Sequence, residues 1–146
     1  ASRLCCPDMD ARQPGLAWEM LQADQILVSY YGGEAEDNRW DEYVALLRSL
    51  HGQLHVRFLV DVWREQPPLA RIERLLGVVQ GKPWRVAMLS SSTAMRFVAS
   101  SFSLVVRNVR LFAPEDLDAA LDHLNCSAVE KEHLGECLQR LRAQQQ

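Results

Sequence analysis

Residues 56–79, VRFLVDVWREQPPLARIERLLGVV, contain the two patterns that decide the fold. The first seven residues are almost continuously apolar and rich in β-branched side chains, which is typical of a strand covered on both faces of a sheet. Pro67 and Pro68 then stand where a helix can begin, because proline in a first helical turn gives up no needed donor. Apolar residues from Leu69 to Val79 recur at helical spacing. The stretch therefore predicts a central strand followed by an amphipathic helix.

The same alternation of strand and helix extends in both directions along the chain. Further strands are predicted at residues 17–21, 25–31, 84–89 and 109–112, and further helices after residues 37, 93, 114 and 127. The first two strands lie close enough to pair as a hairpin, and the alternation predicts a mostly parallel sheet. We therefore expect one α/β domain over residues 16–142 with an opening β-hairpin and an extra C-terminal helix. A flexible leader over 1–15 and a frayed end over 143–146 would flank it.

Residues near the helix ends allow more detailed predictions. Asp37 is expected to cap the first helix, and Gly52 to take the left-handed position just past its end. Ser127 and Glu130 match the S-x-x-E capping box, so a separate last helix is expected to start there. The apolar face of the third helix is predicted to run through Ala94, Phe97, Val98, Ser101 and Val105.

Composition and cysteine usage exclude several classes of protein. Among 146 residues, 48% are hydrophobic and 24% charged, which is typical of a globular domain, and no apolar run approaches the roughly 20 residues of a membrane span. The net charge of −3 argues against nucleic-acid binding. The four cysteines lack both a disulfide framework and zinc spacing. We expect Cys126 and Cys137 to be buried free thiols at helical positions, in a protein of the reducing cytoplasm.

No motif for catalysis, a cofactor or a metal occurs in the sequence. The glycine patterns that cradle phosphate and the G-x-S-x-G nucleophile pattern are absent, and the four histidines are not spaced as ligands. Asp61 lies near the carboxyl end of the predicted central strand, where ligands often bind. It lacks the acidic companions of a receiver domain. We therefore predict that the chain has no catalytic residues, binds no metal or cofactor and is not an enzyme.

Over about residues 16–125, the order of these elements and their pattern of size and polarity resemble a known family. The pattern is carried by residues 26–32, 40–43, 58–62, 67–71, 85–90, 95–98, 109–112 and 114–124. It resembles the STAS domain, and within it the SpoIIAA-like group of bacterial anti-sigma-factor antagonists. The resemblance implies a non-catalytic signalling module that docks a partner protein. In typical members, a serine or threonine after the second inner strand is phosphorylated by a partner kinase.

This chain departs from the family pattern at the regulatory position. The corresponding stretch, residues 61–68, reads DVWREQPP and contains no hydroxyl side chain. The next hydroxyl cluster, which starts the third helix, supplies helix caps or, alternatively, a phosphoacceptor: Ser91, Ser92 and Thr93. The chain is thus expected to be a divergent member.

The predicted partner-binding residues lie on this loop and the helix after it. Tryptophan and arginine are enriched in binding hot spots, and Arg71 with Arg74 and Arg64 would form a small basic patch on an acidic domain. The alternative is that Trp63 packs beneath the following helix. The residues predicted to contact a partner are Trp63, Arg64, Glu65, Gln66 and Arg71.

These predictions lead to two hypotheses for the function. The first is a cytoplasmic signalling or adaptor module that works by protein–protein contact with a partner not identified by the sequence. A homodimer is compatible with it. The second is a sensor or carrier of a small apolar molecule, with a pocket between the sheet and its helices.

Overall fold

The computed structural model describes residues 15–21, 25–63 and 66–144. Strands and helices alternate through most of these ranges. The strands are β1 (Leu16–Leu21), β2 (Ile26–Tyr31), β3 (Arg57–Val62), β4 (Arg85–Leu89) and β5 (Asn108–Phe112). The helices are α1 (Asp37–Ser49), α2 (Leu69–Val79), α3 (Thr93–Ser103), α4 (Leu117–His123) and α5 (Ala128–Gln144).

The five strands form one sheet in the order in which they occur along the chain, β1-β2-β3-β4-β5. β1 pairs antiparallel with β2, with Leu16 opposite Tyr31 and Leu21 opposite Ile26. The three other pairs of neighbouring strands are parallel. The structure thus confirms the prediction of a single α/β domain with a mostly parallel sheet, an opening hairpin and an additional C-terminal helix.

Helices cover both faces of the sheet. Crossovers of one hand between successive neighbours place their helices on the same side, and α1, α2 and α3 share one buried core with that face. α4 and α5 form a second core with the opposite face. In β2, Leu27 and Tyr31 point into the first core and Val28 and Tyr30 into the second, because side chains alternate along a strand. Burial on both faces explains why the inner strands are almost continuously apolar.

The capping box at the start of α5 is confirmed. The Glu130 N–H donates to Ser127 Oγ at 3.1 Å, and the Ser127 N–H donates to the Glu130 carboxylate at 2.8 Å. Both backbone donors at this helix end are therefore satisfied by side chains, as the S-x-x-E pattern predicts.

Both predictions for the ends of α1 are wrong. The N-cap residue is Glu36, whose side chain makes no capping hydrogen bond, and Asp37 pairs instead with Arg71 on α2. Gly52 is not among the described glycines with positive φ. The Leu50 and His51 N–H groups donate to carbonyls three residues earlier, so the helix ends in a tightened turn that needs no left-handed residue.

Of the two described cysteines, only one lies on a helix. Cys137 is buried on α5, as predicted, whereas Cys126 is half-buried in the connection between α4 and α5. Burial raises the pKa of the Cys137 thiol to about 11. This thiol is therefore a packing side chain rather than a nucleophile at neutral pH.

Candidate binding surface

Trp63 follows β3 directly and lies at the carboxyl edge of the sheet. Its N–H donates to the carbonyl of Tyr31 at 2.9 Å, which extends the pairing of β2 and β3 by one residue. The side chain is 43% exposed and so offers a large apolar surface to solvent. The parallel strands end at this same edge, where α1, α2 and α3 begin.

The start of α2 presents a second apolar side chain to solvent. Pro67 is buried and Pro68 is the N-cap residue, which agrees with the expected helix start. Leu69, the first helical residue, is 70% exposed, and Gln66 is exposed in the loop before it. Arg64 and Glu65, which were also predicted to bind a partner, lie outside the described residues.

The two arginines of α2 are paired with carboxylates of α1. Arg71 forms an ion pair with Asp37, and its guanidinium lies over the Trp40 ring at 5.7 Å from the centroid. Arg74 pairs with Asp41 at 2.7 Å. Within the described residues, these charges are therefore matched on the domain itself and form no free basic patch. A role for Arg71 in partner binding stays a prediction.

The hydroxyl cluster before α3 does not cap the helix in the usual way. Ser92 is the N-cap residue, but its side chain makes no capping hydrogen bond. Instead, the Ser92 N–H donates to Oγ of the buried Ser90 at 3.1 Å, which stabilises the turn that enters the helix. Ser91 and Thr93 are exposed and Ser92 is half-buried. Their role as phosphoacceptors stays a prediction.

The predicted apolar face of α3 is wrong at Phe97, Ser101 and Val105, which are exposed, whereas Val98 packs against the first core. The buried residues are Met95, Ala99 and Phe102, while Phe97 is 73% exposed. Both faces of this helix are apolar or small, so helical periodicity could not tell which one packs on the sheet. Leu104, the residue after the helix, is exposed as well. Sequence reasoning therefore assigned to the core a side chain that faces solvent.

Helical geometry places these exposed side chains on the same side of the domain. Because Arg71 and Arg74 face α1, the 3.6-residue turn directs Leu69 to the opposite side of α2, toward α3. On α3, Val98 lines a cavity shared with α2, and Phe97 lies on the solvent side of the same flank. Together with the tryptophan after β3, these residues form what we call the α2–α3 surface: Trp63, Leu69 and Phe97.

An apolar cavity of about 90 Å³ lies beneath the α2–α3 surface. Its walls are almost entirely apolar, and the Tyr43 hydroxyl in the wall is hydrogen-bonded to Ser29 at 2.8 Å. Burial raises the pKa of Tyr43 to about 12. The side chains that line the cavity include Val60 and Met88 from the sheet, Leu75 and Val79 from α2, and Val98 and Phe102 from α3.

Asp61, His51 and His123 each lie within hydrogen-bond distance of another part of the fold. Asp61 accepts a hydrogen bond from Arg142 Nε at 2.7 Å across the α5 face of the sheet. Nε2 of His51 and of His123 lie within hydrogen-bond distance of the carbonyls of Val78 and Asn108, at 3.1 and 3.0 Å. In the part of the chain that the structure describes, no group of three or more His, Cys, Asp or Glu side chains is placed to hold a metal ion.

Across the described ranges, every helix falls short of the length and apolar character that a membrane crossing requires. Comparisons of the chain with protein-family models, with curated proteins and with solved structures found no match.

Proposed function

We propose that this chain is a non-catalytic signalling or adaptor module of the cytoplasm that binds a partner protein through the α2–α3 surface. The observation that carries the proposal is the exposure of Trp63, Leu69 and Phe97 on one side of the domain. Single exposed apolar residues are common on soluble proteins, whereas neighbouring large ones mark interaction sites. The partner would present an apolar face.

The charges around this surface favour an apolar contact over an electrostatic one. The guanidinium groups of Arg71 and Arg74 are already paired with Asp37 and Asp41. A partner carboxylate would have to displace these internal partners, and exposed pairs of this kind contribute little binding energy. The aromatic side chains, which can be desolvated without such an exchange, would supply most of the affinity.

We also propose that the domain is a divergent member of the STAS fold. The sheet order, the antiparallel first strand and the helices after each parallel strand support this proposal. In such a member, the partner contact would not be regulated by phosphate on the loop after β3, because residues 61–68 carry no hydroxyl.

The proposal is tested by comparing proteins captured from native lysate by three forms of the domain. The first is the unchanged chain, and the second carries Trp63→Ala, Leu69→Ala and Phe97→Ala. The third carries Leu54→Ala and Val129→Ala, which remove exposed apolar side chains elsewhere on the domain. We expect a stoichiometric partner protein to be captured by the unchanged chain and the control, and to be lost only from the triple variant. That partner could also be a second copy of the chain. Identical capture by all three forms would contradict the proposal.

The apolar cavity supports a second candidate function, the sensing or carriage of a small apolar molecule. Apolar cavities stay dry and bind apolar guests, and an engineered one of about 150 Å³ holds benzene or xenon. The volume of about 90 Å³ suits a guest smaller than benzene unless α2 and α3 move apart. Native mass spectrometry of the purified protein would reveal a bound guest. Its loss in Val98→Trp, which fills the cavity, would support this function.

A further inference from the structure

The two edges of the sheet differ in how their backbone groups are protected. β1 is the edge strand on one side and β5 on the other. Edge strands can pair with another extended chain, and proteins often block them with charged side chains. The first edge is blocked in this way. The Gly15 carbonyl points to β2, so that of Leu16 points outward, and it accepts from Arg39 Nε at 2.9 Å. The same guanidinium lies over the Trp18 ring, 4.0 Å from its centroid.

The backbone of β5 lacks such a block within the described residues. The Ser90 N–H donates to the carbonyl of Phe112 at 3.1 Å, so the backbone groups of Phe112 face β4. Because these groups alternate in direction along a strand, those of Val109 and Leu111 face away from β4. None of the described residues forms a hydrogen bond with them. β5 therefore presents two N–H donors and two carbonyl acceptors to a further strand.

Positive charge is concentrated beside this edge. Arg107 directly precedes β5, and Arg110 lies in the middle of the strand with its guanidinium 5.2 Å from the centroid of the Phe112 ring. Both arginines are exposed, and neither forms an ion pair with a described residue. The edge of β5 is thus basic on a domain whose net charge is −3.

A third exposed arginine, Arg96, lies on the neighbouring flank of α3. Val98 lines the cavity shared with α2, and Arg96 is about 200° away from it around the helix, so it lies on the flank away from α2. α3 packs on β5, and this flank is therefore on the side of the free edge. Arg96 also has no ion-pair partner among the described residues. An acidic strand would meet uncompensated positive charge here.

The same charges disfavour a second copy of β5 as the added strand. In an antiparallel pair of two β5 strands, the register that uses both Val109 and Leu111 of each strand places Arg110 opposite Arg110 of the other copy. Like charges directly opposite each other destabilise a strand pair, whereas opposite charges stabilise it. The favoured strand therefore carries a carboxylate at this position.

We infer that the free edge of β5 binds an extended segment of a partner protein by antiparallel strand addition, with an acidic side chain of that segment opposite Arg110. Main-chain hydrogen bonds to Val109 and Leu111 would supply affinity, and the side chains specificity. The residues on either side of the acidic one would be apolar, because they lie beside Leu111, which packs against the first core. The inference is separate from the proposed contact at the α2–α3 surface, since it rests on the backbone and charges of β5.

The first test is a titration of the ¹⁵N-labelled chain with the blocked peptide acetyl-STVEVTS-amide, followed by NMR. We expect saturable shifts of the amides of β5 and its neighbours. The peptide STVKVTS, with lysine in place of glutamate, should bind about fivefold more weakly, because it meets Arg110 with a like charge. Absence of saturable shifts with the acidic peptide would overturn the inference. So would shifts of the β5 amides that depend on protein concentration without peptide, which would identify a second copy as the occupant.

Two N-methylated forms of the acidic peptide test the main-chain pairing. In the antiparallel arrangement, the N–H groups of both valines donate to β5, and that of the glutamate points away. Methylation of both valine nitrogens should weaken binding at least about tenfold, because two hydrogen bonds are lost. Methylation of the glutamate nitrogen should leave the affinity within about twofold. Equal affinity of the two methylated peptides, or the reverse order, would contradict strand addition in this direction.

A charge reversal tests the role of Arg110. Arg110→Glu should reverse the preference, so that STVKVTS binds about fivefold more tightly than STVEVTS. The control is Arg48→Glu, which reverses an exposed charge on α1, far from β5 in the fold. It should keep the preference for the acidic peptide. An unchanged preference in Arg110→Glu, or a reversal in both variants, would refute the assignment. The methylated peptides need only the unchanged chain, so the inference can be refuted even if Arg110→Glu does not fold.

Discussion

Asp61 and Arg142 form an ion pair that joins β3 to α5 across the second core. The aspartate is fully buried, and its Oδ1 has no hydrogen-bond partner among the described residues, as is also true of Arg142 Nη2. Burial raises the pKa of Asp61, while the hydrogen bond and the charge of Arg142 act to lower it. A buried carboxylate in this position depends on the charge of Arg142, because little water is present to stabilise the carboxylate if that charge is removed.

Removal of Arg142 should therefore destabilise the domain strongly. We expect Arg142→Met to lower the free energy of unfolding by about 3 kcal/mol at neutral pH, because it leaves the charge of Asp61 buried and unpaired. The double variant Asp61→Leu with Arg142→Met should regain much of this loss. Urea denaturation measures both. Arg140→Met, which breaks the exposed pair with Glu19 on the same helix, is the control and should change stability by less than about 1 kcal/mol.

The pH dependence of stability gives an independent test of the same pair. The pKa of Asp61 is higher in the folded than in the unfolded chain, so folding favours the protonated carboxyl. Its contribution to stability is fully present below the unfolded pKa and is lost as the pH rises through the folded pKa. The defect of Arg142→Met should therefore shrink as the solution is made acidic. A defect that is unchanged at acidic pH would contradict the assignment.

At the scale of the element, α3 is unusual because the large aromatic side chain of Phe97 is exposed on an outer face that otherwise carries Arg96 and hydroxyl residues. Arg96 is the only charged residue in this helix, and Phe97 faces solvent while Met95 is buried. An amphipathic surface helix normally keeps its polar residues outward. The departure is understandable if the outer face is covered by a partner for part of the time.

The two sides of α3 should respond very differently to truncation. Met95→Ala is expected to lower the free energy of unfolding by about 3 kcal/mol, because it opens a void in the first core. Phe97→Ala should change it by less than about 0.5 kcal/mol, since the ring is mostly exposed. Thermal or urea denaturation of both variants measures the difference. A large loss of stability in Phe97→Ala would show that the face is structural rather than a docking surface.

Helix α5 is aligned along the sheet by ion pairs near both of its ends. Glu130 near its start pairs with Arg57 at the start of β3, and Arg142 near its end pairs with Asp61 near the end of that strand. The helix and the strand therefore run in the same direction. Glu130 also completes the capping box with Ser127, so one side chain both starts the helix and fixes its position on the sheet.

At the scale of the whole molecule, the strand order explains why no ligand-binding crevice opens between the strands at the carboxyl edge. Open α/β sheets bind ligands where the strand order reverses and the crossing helices part to opposite faces. Here the parallel strands follow one another in sequence order, and their connecting helices share one face. This topology opens no such crevice. Recognition is therefore expected on the exposed α2–α3 surface rather than in a crevice between strands.

The second core should behave as one cooperative unit, and Cys137 can report on it. Its thiol is fully buried between α5 and the sheet, and burial raises its pKa to about 11. We expect a thiol reagent to label Cys137 only when α5 detaches, at a rate that follows the free energy of unfolding across urea concentrations. Peptide mapping by mass spectrometry measures this rate. Rapid labelling of Cys137 under native conditions would contradict tight docking of α5.

Local signals in the sequence were sufficient for the elements and their order. The β-branched run of β3, the two prolines before α2 and the capping box of Ser127 and Glu130 each act within a few residues, so they could be recognised without a structure. The alternation of strands and helices then led to the mostly parallel sheet. The exposure of Trp63 on the loop after β3 was one of two alternatives that the sequence left open.

The sequence by itself determined the fold class and the absence of recognisable catalytic motifs, because both depend on short-range patterns of polarity and spacing. Only the tertiary structure decided which face of α3 is buried, that Arg71 and Arg74 are paired with α1, and that β5 lies at the edge of the sheet. These features depend on contacts between residues more than 20 positions apart in the chain. Such contacts are set by how the elements pack, and no local pattern records them.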